Sequence, residues 1–569
     1  MTDILSDGRF IRLEPVNKGW SEDKKYCVTD LSGAKFLLRI SPIARFEHRR
    51  ALHEMMQRVS ALGVPMCQPL ELGTSDDGVY SLQGWIDGED LEDVLPLLSE
   101  TEQYVLGLQS GELLRKIHSI PAPESQEDWA AHFNRKTDFR LNKYHECGIR
   151  FDGDMHVIEY IEQNRKLLEN RPQCFQHGDY HVGNMMLENG ELKIIDFDRY
   201  DFGDPWEEFN RLVWSAAASP YFATGQLRGY FGGEVPIEFF RLLAFYMASN
   251  TVSAIYWAIP FGQSEIDTMM QQAQDVLRWF DNMQNPVPTW YLDDLYIQYT
   301  DGIPYRLKSP YDFSFLAKYG TVFKVFDAQD GGNVCFGVEK DCKRYFVKFA
   351  GAPQARYDGK IEDAITRLKA SVQVYQDIGE HPGLIRYIGA EEIGGSFAVI
   401  FEWSDALGIG RMYPLQHRRF MALPIEKRLR VFEDILAFQS FVSARGYVAI
   451  DFYDGSIMYD FDNENTVICD IDFYQKIPYR GDMGLWGSTR FVSPEECTQG
   501  EIMDEITNVY TMGATAFCLF ADSDRSPEKW PLSPAPYGVV KRAVSDERSE
   551  RQQSISQLIE EWNAARNTE

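Results

Sequence analysis

The chain has 569 residues, a length that predicts two to four domains. Its apolar share of 44% and aromatic share of 14% are sufficient for packed cores, which argues against a disordered protein. The formal net charge of −29 argues against a nucleic-acid partner, because such a protein needs a basic face to neutralise phosphates.

Nine cysteines are scattered without a CxxC pair or metal-ligand spacing, which predicts reduced thiols and a cytoplasmic location. The first residues contain no basic stretch followed by an apolar core. No apolar run approaches about 18 residues, the length that a membrane span needs. We therefore expect neither a secretory signal nor a membrane partner.

The first 90 or so residues predict a small sheet with one helix. Alternating apolar and β-branched residues predict the strands, and apolar residues at helical spacing predict the helix over 46–62, which carries Glu54. A polar turn at 17–25, which contains Gly19, separates the first two strands. The predicted strands cover 10–15, 26–29, 35–40 and 79–86.

Residues 100–280 are mainly helical in pattern, with core helices expected over 237–257 and 266–280. Within them, the segment 125–165 is rich in carboxylates. Two interpretations stay open at this point: an acidic pocket for a polyamine sugar, or a solvated acidic face. The carboxylates are Asp128, Asp138, Glu146, Asp152 and Asp154.

A compact set of polar residues follows these helices. His177, Asp179 and Asn184 lie in the run HGDYHVGN, and Asp196 and Asp198 lie in the run IIDFD. Phosphoryl transfer requires this combination, in which a carboxylate orients the acceptor hydroxyl and takes its proton while an amide and a carboxylate hold Mg²⁺.

The spacing of this set is consistent with one site. Residues 192–195 predict a short buried strand, so that Asp196 emerges at its end. The pair Asn189-Gly190 predicts a hairpin turn that folds this strand back beside 185–187. The hairpin would bring Asp196 near Asn184, where both can reach one metal ion.

These runs resemble the catalytic and metal loops of the aminoglycoside phosphotransferase/choline kinase-like family, and the run GDPWEEF at 203–209 resembles the continuation. The resemblance implies ATP and Mg²⁺ as cofactors and a small-molecule hydroxyl as acceptor. It also implies that His177 braces the catalytic loop and that Asp198 binds metal or orients the substrate.

The resemblance assigns nucleotide-binding roles to the first lobe. The turn containing Gly19 would cover the phosphates, and Arg39 would contact them while paired with Glu54. Most kinases carry Lys at this strand position, and the exchange to Arg is not conservative. The alternative is that Arg39 is an ordinary charge at a strand edge.

Prolines around 285–312 mark the best domain boundary. We predict a first domain over 1–290, with an N-lobe to about 87 and a C-lobe over about 88–290. A connecting segment would cover 291–312, and a second domain would cover 313–569.

The second half repeats the order of these features with a different sequence. Gly320 lies in a degenerate phosphate-binding loop, Lys348 on a strand, Asp451 and Ser456 in a run spaced like a catalytic loop, and Asp472 in the run CDIDF. The half resembles eukaryotic-type Ser/Thr protein kinases. By that resemblance Lys348 and Gly320 would bind nucleotide, Asp451 would be the base, and Asp472 and Ser456 would bind metal.

The second half also departs from that family. Ser456 replaces the usual metal-binding Asn, Tyr453 replaces the catalytic-loop Lys, and no Glu lies between 363 and 379 to pair with Lys348. These losses weaken positioning and charge neutralisation together. A divergent active kinase and a pseudokinase both remain open, and a protein substrate or partner is possible.

The predicted fold is α+β, with two bilobal kinase-like domains in tandem, each with a small antiparallel N-lobe and a mostly helical C-lobe. The predicted function is transfer of the ATP γ-phosphate to a hydroxyl of an aminoglycoside-like or amino-alcohol-like small molecule by the N-terminal domain. The alternatives are a nucleotide-binding scaffold and a protein kinase whose working unit is the C-terminal domain.

Overall fold

The computed structural model describes residues 8–17, 23–481 and 488–567. The chain divides into two compact units, Met1–Asp293 and Asp294–Glu569, which we call the first and second units. The content of both is mixed α and β.

The first unit opens with a five-stranded antiparallel sheet in the order β1-β2-β3-β5-β4. All four predicted strands are present, and the strand β4, which the sequence pattern missed, forms one edge. Val28, Leu38, Ile40 and Leu82 form a small core on this sheet. The elements are β1 Phe10–Pro15, β2 Lys24–Asp30, β3 Lys35–Ser41, α1 Phe46–Ala61, β4 Pro69–Ser75 and β5 Gly78–Gly84.

The remainder of the first unit is mainly helical. Helix α3 begins at a capping box between Ser99 and Glu102, which satisfies two backbone N–H groups. The helices are α2 Leu91–Val94, α3 Glu100–Ile117, α4 Trp129–Cys147, α5 Asp154–Asn164, α6 Leu212–Ala218, α7 Pro220–Phe231, α8 Ile237–Ala258 and α9 Gln263–Trp279. The short strands are β6 Glu89–Asp90, β7 Cys174–Gln176, β8 Met185–Glu188, β9 Glu191–Ile194 and β10 Asp201–Gly203.

Helices α3 and α7 pack with their backbones unusually close. A Cβ atom on Gly107 of α3 would lie 2.2 Å from the carbonyl oxygen of Phe222, and one on Gly225 of α7 would lie 2.2 Å from that of Tyr104. Only glycine allows this approach. The two helices form part of the core that packs against the loop carrying Asp179.

Helix α8 and the turn after it, Ile237–Phe261, are long and apolar enough to cross a membrane by length and composition, a feature that our sequence analysis did not flag. Within the structure, 67% of its most apolar window is buried in the first unit. This burial is typical of a core helix of a globular domain.

The second unit contains a five-stranded antiparallel sheet in the order β13-β14-β15-β17-β16, which repeats the order of the first sheet. In both sheets a helix follows the third strand. The sheet elements are β13 Thr321–Phe326, β14 Asn333–Lys340, β15 Lys343–Ala350, α10 Ile361–Ile378, β16 Tyr387–Ile393 and β17 Ser396–Glu402.

Helices and short strands complete the second unit. The helices are α11 Pro414–Met421, α12 Ile425–Ser443, α13 Glu505–Ala521, α14 Pro534–Ala543 and α15 Ile555–Arg566. The short strands are β18 Leu407–Gly408, β19 Tyr447–Val448, β20 Ile457–Asp460, β21 Asn465–Ile468 and β22 Gln475–Lys476.

The segment expected to connect the two domains, 291–312, is largely a folded hairpin. Strands β11 Tyr296–Thr300 and β12 Ile303–Leu307 pair in antiparallel register. Tyr305 and Leu307 are buried in the same core cluster as Phe313 of the second unit. Most of this segment therefore belongs to the second unit rather than to a linker.

Candidate functional site

A tight hairpin positions the proposed metal ligands of the first unit. Strands β8 and β9 pair with Met185 opposite Ile194, and Asn189 and Gly190 form the turn with positive φ angles of 53° and 80°. This is the hairpin that the sequence predicted. The Ile195 N–H donates to the Asn184 carbonyl at 3.1 Å, so Asn184 lies across the ladder from the residue before Asp196.

His177 ties the catalytic loop to the strand that leads to Asp196. Its Nε2 lies 2.9 Å from the Ile195 carbonyl, and its Nδ1 accepts the Asp179 N–H at 3.3 Å. Burial lowers the pKa of His177, which favours the neutral ring that this pair of bonds requires. Gly178 has φ 85°, and a Cβ there would lie 1.8 Å from the Arg199 carbonyl, so only glycine fits.

The carboxylate of Glu208 anchors this loop, a role that the sequence analysis did not identify. Its buried carboxylate accepts the backbone N–H groups of His177 and Gly178, both at 2.7 Å. His118, at the end of α3, lies 3.4 Å from Glu208 and 3.0 Å from the Tyr230 hydroxyl. No sequence signal separates Glu208 from the adjacent Glu207, because the difference arises from tertiary packing.

Asp179 lies among cations. One carboxylate oxygen lies 3.2 Å from Arg211 and 3.8 Å from His181, and the other lies 3.5 Å from Arg199. Burial opposes the charged form, but the nearby His181 ring and the charges of Arg211 and Arg199 outweigh it and hold the pKa of Asp179 well below its usual range. Asp179 is therefore ionised at neutral pH and is better suited to orienting a hydroxyl than to retaining a proton.

Arg39 is buried and contacts the loop after β9, which excludes the interpretation of a surface charge. It donates to Asp198 and approaches Asp196 at 3.4 Å. The predicted pair with Glu54 was wrong. Glu54 lies on the exposed face of α1, whereas Arg39 extends from β3 toward the loop that contains Asp196.

Two further residues complete this charge network, and the sequence analysis missed both. Arg49 on α1 donates to Asp198 at 2.6 Å and also to Asp23, while Arg39 donates to Asp23 at 3.0 Å. A signal was present, because Arg49 shares the buried face of α1 with Leu52. Asp23 follows residues 18–22, which lie outside the described part of the chain together with the predicted phosphate-loop Gly19.

The proposed metal ligands have suitable chemistry. Asn184 donates its Nδ2 to the Asp179 carbonyl at 2.8 Å, which leaves the amide oxygen for a metal ion. The Asp196 side chain is 41% exposed and that of Asp198 is 20% exposed. Among the described residues no group of three or more His, Cys, Asp or Glu is arranged for a metal, but Mg²⁺ at nucleotide sites needs only one or two carboxylates besides phosphates and water.

In the second unit, the strand cation is paired with two carboxylates. Lys348 lies 2.6 Å from Asp470 and 2.8 Å from Asp472. Asp472 also accepts a hydrogen bond from the Tyr375 hydroxyl of α10 at 3.1 Å. The helix therefore contributes a tyrosine hydroxyl to this site instead of the glutamate that pairs with the strand lysine in protein kinases. Burial opposes the charge of Lys348, but the two carboxylates outweigh it and raise the lysine pKa.

The register of the second unit corrects the choice of Asp472 as a metal ligand. The Cys469 N–H donates to the Ser456 carbonyl at 2.9 Å, as Ile195 donates to Asn184 in the first unit. Asp470 therefore corresponds to Asp196, and both have positive φ, 57° and 62°. Asp472 corresponds to Asp198 instead. Ser456 is fully buried, and its hydroxyl makes no hydrogen bond within the described residues.

Asp451 has an environment opposite to that of Asp179. Burial and the nearby charges of Asp470 and Asp330 raise the pKa of Asp451 to about 7. Its Oδ1 atom is buried and has no hydrogen-bond partner among the described residues. At neutral pH this carboxyl is about half protonated.

The assignment of Gly320 to a phosphate-covering loop was wrong. Gly320 precedes β13, at the end of the hairpin where Thr321 pairs with Glu339, and its positive φ of 135° brings it against the Glu339 carbonyl. The loop that joins β13 to β14 is instead 327–332. That loop contains Asp330, so its charge would repel phosphates rather than attract them.

A cavity of about 500 Å³ lies beside the catalytic loop of the first unit, between α6 and α9. The Trp214 ring lies 6.3 Å from the His181 ring, and Arg211, which contacts Asp179, immediately precedes α6. The lining combines aromatic, carboxylate and amide groups. It includes Trp214, Trp279, Asp267, Asp275, Gln271 and Gln272.

One known family matches part of the first unit. Residues 12–240, less than half of the chain, match the phosphotransferase enzyme family. This region is therefore similar to phosphotransferase enzymes. No curated protein matches the chain.

Solved structures show similarity over about half of the chain. A thermostable mutant of aminoglycoside phosphotransferase APH(4)-Ia in its apo form is 19% identical with a TM-score of 0.38, covering 48% of this chain and 97% of that chain. A choline/ethanolamine kinase family protein from Mesorhizobium loti is 17% identical with a TM-score of 0.39, covering 50% and 94%. ADP-bound aminoglycoside phosphotransferase APH(2'')-Ib is 16% identical with a TM-score of 0.35, covering 47% and 95%.

Proposed function

We propose that the first unit transfers the γ-phosphoryl group of ATP to a hydroxyl group of a small molecule. The observation that carries this proposal is the joining of the catalytic loop to the hairpin. The Asn184 side chain bonds to the Asp179 carbonyl, and the Asn184 carbonyl bonds to the residue before Asp196. These are the oxygen ligands and the acceptor-orienting carboxylate that phosphoryl transfer needs within one small volume.

Each residue then has a defined task. Asp179 accepts a hydrogen bond from the acceptor hydroxyl and aligns its oxygen with the γ-phosphorus. Since its pKa is low, it takes the proton only as the new bond to phosphorus forms and the hydroxyl becomes strongly acidic. Asn184 and Asp196 would hold Mg²⁺, which supplies charge neutralisation for the phosphates. Arg39 would contribute a second positive charge beside them.

The cavity between α6 and α9 is the proposed acceptor site, because Arg211 and Trp214 connect it to Asp179. Its tryptophans suit the face of a ring, and Asp267 and Asp275 suit amino or hydroxyl groups. An amino sugar or amino alcohol fits this lining.

The acidic segment 125–165 is not part of the proposed acceptor site, because most of its carboxylates have structural partners. Asp128 caps α4, Asp138 pairs with Arg165, Glu146 pairs with Lys143 and Asp154 accepts from Tyr144. The interpretation of this segment as an acidic pocket is therefore withdrawn in favour of local capping and surface pairing.

The experiment is a screen of ATP consumption with amino sugars, amino alcohols and macrolides as acceptors, followed by identification of the phosphorylated product. Asp179→Asn should reduce turnover of the acceptor that is found by about 10²–10⁴-fold, and Asp152→Asn, which changes an exposed carboxylate, should leave turnover unchanged. Full turnover by Asp179→Asn would contradict the proposal.

We propose further that the protein is cytoplasmic and that its second unit is a kinase-like domain that does not itself transfer phosphate. This unit would bind a protein partner or regulate the first unit. The supporting observation is that Lys348, the cation of β15, is paired with both Asp470 and Asp472 beneath an acidic loop. Autophosphorylation that survives Asp179→Asn but is lost in Asp451→Asn would make the second unit the working kinase instead.

A further inference from the structure

A buried cation on α1 stands out in the first unit. Arg49 is only 4% exposed, although a charged side chain is seldom buried without a functional or structural partner. Its guanidinium group donates to Ser41 at 2.9 Å and to Asp198 at 2.6 Å, in addition to its bond with Asp23. The helix therefore presents a cation to the cleft, and its carboxylate Glu54 faces solvent.

The partners of the two arginines differ in accessibility. Asp23 has a fully buried side chain and accepts from Arg39, Arg49 and the Ser41 hydroxyl, the last at 2.7 Å. Asp198 is 20% exposed and lies in the loop of the proposed metal ligands. Both guanidinium groups therefore bond to the fully buried Asp23 and also to Asp198, which solvent partly reaches.

The charges in this network do not remain balanced when the proposed cofactors bind. Without ligands, Arg39, Arg49 and the nearby Lys25 face Asp23, Asp196 and Asp198, so three positive charges meet three negative ones. If Asp196 and Asp198 turn to a divalent cation, only Asp23 still faces these three cations, which leaves two net positive charges. A buried unpaired guanidinium is costly, and a phosphate oxygen is its best-matched partner.

We infer that Arg49 is a second phosphate-binding residue of the cleft, which releases Asp198 and takes a terminal phosphate oxygen of the nucleotide as Asp198 turns to the metal. Asp23 is the common anchor that keeps both guanidinium groups in place during this exchange. The inference rests on the proposed function, since it requires a nucleotide in the first unit.

The test compares Arg49→Gln with Arg50→Gln, a matched control whose arginine is exposed on the same helix and pairs with Glu47. Binding of ADP and of adenosine in the presence of Mg²⁺ is measured by isothermal titration calorimetry on the full chain. Arg49→Gln should weaken ADP binding by about 10- to 100-fold, as expected for a lost charge-assisted bond, and should leave adenosine binding unchanged. Arg50→Gln should bind both as the wild type does.

A second measurement separates phosphate binding from a purely structural role. With Mg²⁺ alone, Arg49→Gln should bind the metal at least threefold more tightly than the wild type, because Asp198 has lost a competing cation. Unchanged ADP affinity, or a metal affinity that does not rise, overturns the inference. If Arg49→Gln does not fold, Arg49→Lys replaces it in the same titration. Arg49→Lys should weaken ADP binding by about 3- to 10-fold, and an unchanged ADP affinity would overturn the inference. A wild type that binds no ADP would overturn the proposed function instead.

Discussion

The two units have the same order of strands in their five-stranded sheets but opposite electrostatics in their clefts. In the first unit, Asp179 lies within 4 Å of three cationic or protonatable side chains. In the second, burial and then the nearby carboxylates of Asp470 and Asp330 raise the pKa of Asp451 to about 7. A shared sheet topology therefore does not imply a shared function, which depends on the charges at corresponding positions.

The strand cations show the same contrast. Arg39 shares its carboxylates with Arg49, so a positive charge becomes available when a metal ion competes for them. Lys348 is matched by two carboxylates, and among the described residues no second cation bonds to them. We therefore expect the first cleft to bind a nucleotide and the second to bind it weakly or not at all.

The largest expected effect is on catalysis in the first unit. Asp179→Asn should reduce kcat by about 10²–10⁴-fold with little change in ATP affinity, because it removes the group that orients the acceptor and accepts its proton. The matched change Asp451→Asn should leave kcat for the small-molecule acceptor unaltered. Equal losses of kcat in the two variants would contradict the inferred difference between the two clefts.

A second prediction concerns the stability of the second unit alone. Arg551 makes a bidentate, fully buried pair with Glu495 at 2.8 and 3.0 Å. Arg551→Ala should lower the free energy of unfolding of this unit by about 3 kcal/mol, the lower end of the range for breaking a buried ion pair, because Arg548 and Thr507 still bond to the buried Glu495 carboxylate. The measurement is chemical denaturation, with Arg542→Ala as an exposed control. A loss below 1 kcal/mol, or a loss of nucleotide binding by the first unit, would be inconsistent with this account.

A third prediction uses the sign of the pKa shifts. The pKa of Asp451 is raised, so the folded state holds this proton more tightly than the unfolded state, and the second unit should lose stability as pH rises from about 4 to 7. The loss is at most about 4 kcal/mol. Asp451→Asn should reduce this slope in unfolding experiments at pH 5 and pH 8, and Asp472 and Glu496, whose pKa values burial also raises, should account for the remainder.

The pKa of Asp179 is shifted in the opposite direction, so its contribution to the stability of the first unit is present at neutral pH. That contribution should decline only as the pH falls below the usual range of an aspartate. A slope in the wild-type second unit that persists undiminished in Asp451→Asn would assign the titration to other groups.

The smallest expected effect is at Glu54. Because its side chain is exposed and Arg39 bonds elsewhere, Glu54→Gln should change stability by less than about 0.5 kcal/mol and leave ADP affinity within twofold of the wild type. Calorimetric titration provides the measurement. A tenfold loss of ADP affinity would support the predicted ion pair between Arg39 and Glu54.

Short-range sequence patterns predicted those parts of the site that are formed by residues close together in the chain. The Asn189-Gly190 turn and the apolar run after it were sufficient to place Asp196 near Asn184. The four predicted strands of the first sheet were also correct, since alternation of apolar residues reports a half-buried strand.

Residues that act through tertiary packing were not predicted. Glu208 reaches the catalytic loop from about thirty positions away, and Arg49 reaches Asp198 across 149 positions, so neither spacing is visible along the chain. Gly320 and Asp472 were misplaced because short motifs do not fix the register of a hairpin, whereas the backbone hydrogen bonds align Asp470 with Asp196.

The most direct test of the central claim is a calorimetric titration of the full chain with Mg²⁺ and a non-hydrolysable ATP analogue. We expect one binding site, which is lost in Arg39→Ala and retained in Lys348→Ala. The absence of binding, or a single site that is lost in Lys348→Ala and kept in Arg39→Ala, would contradict the account.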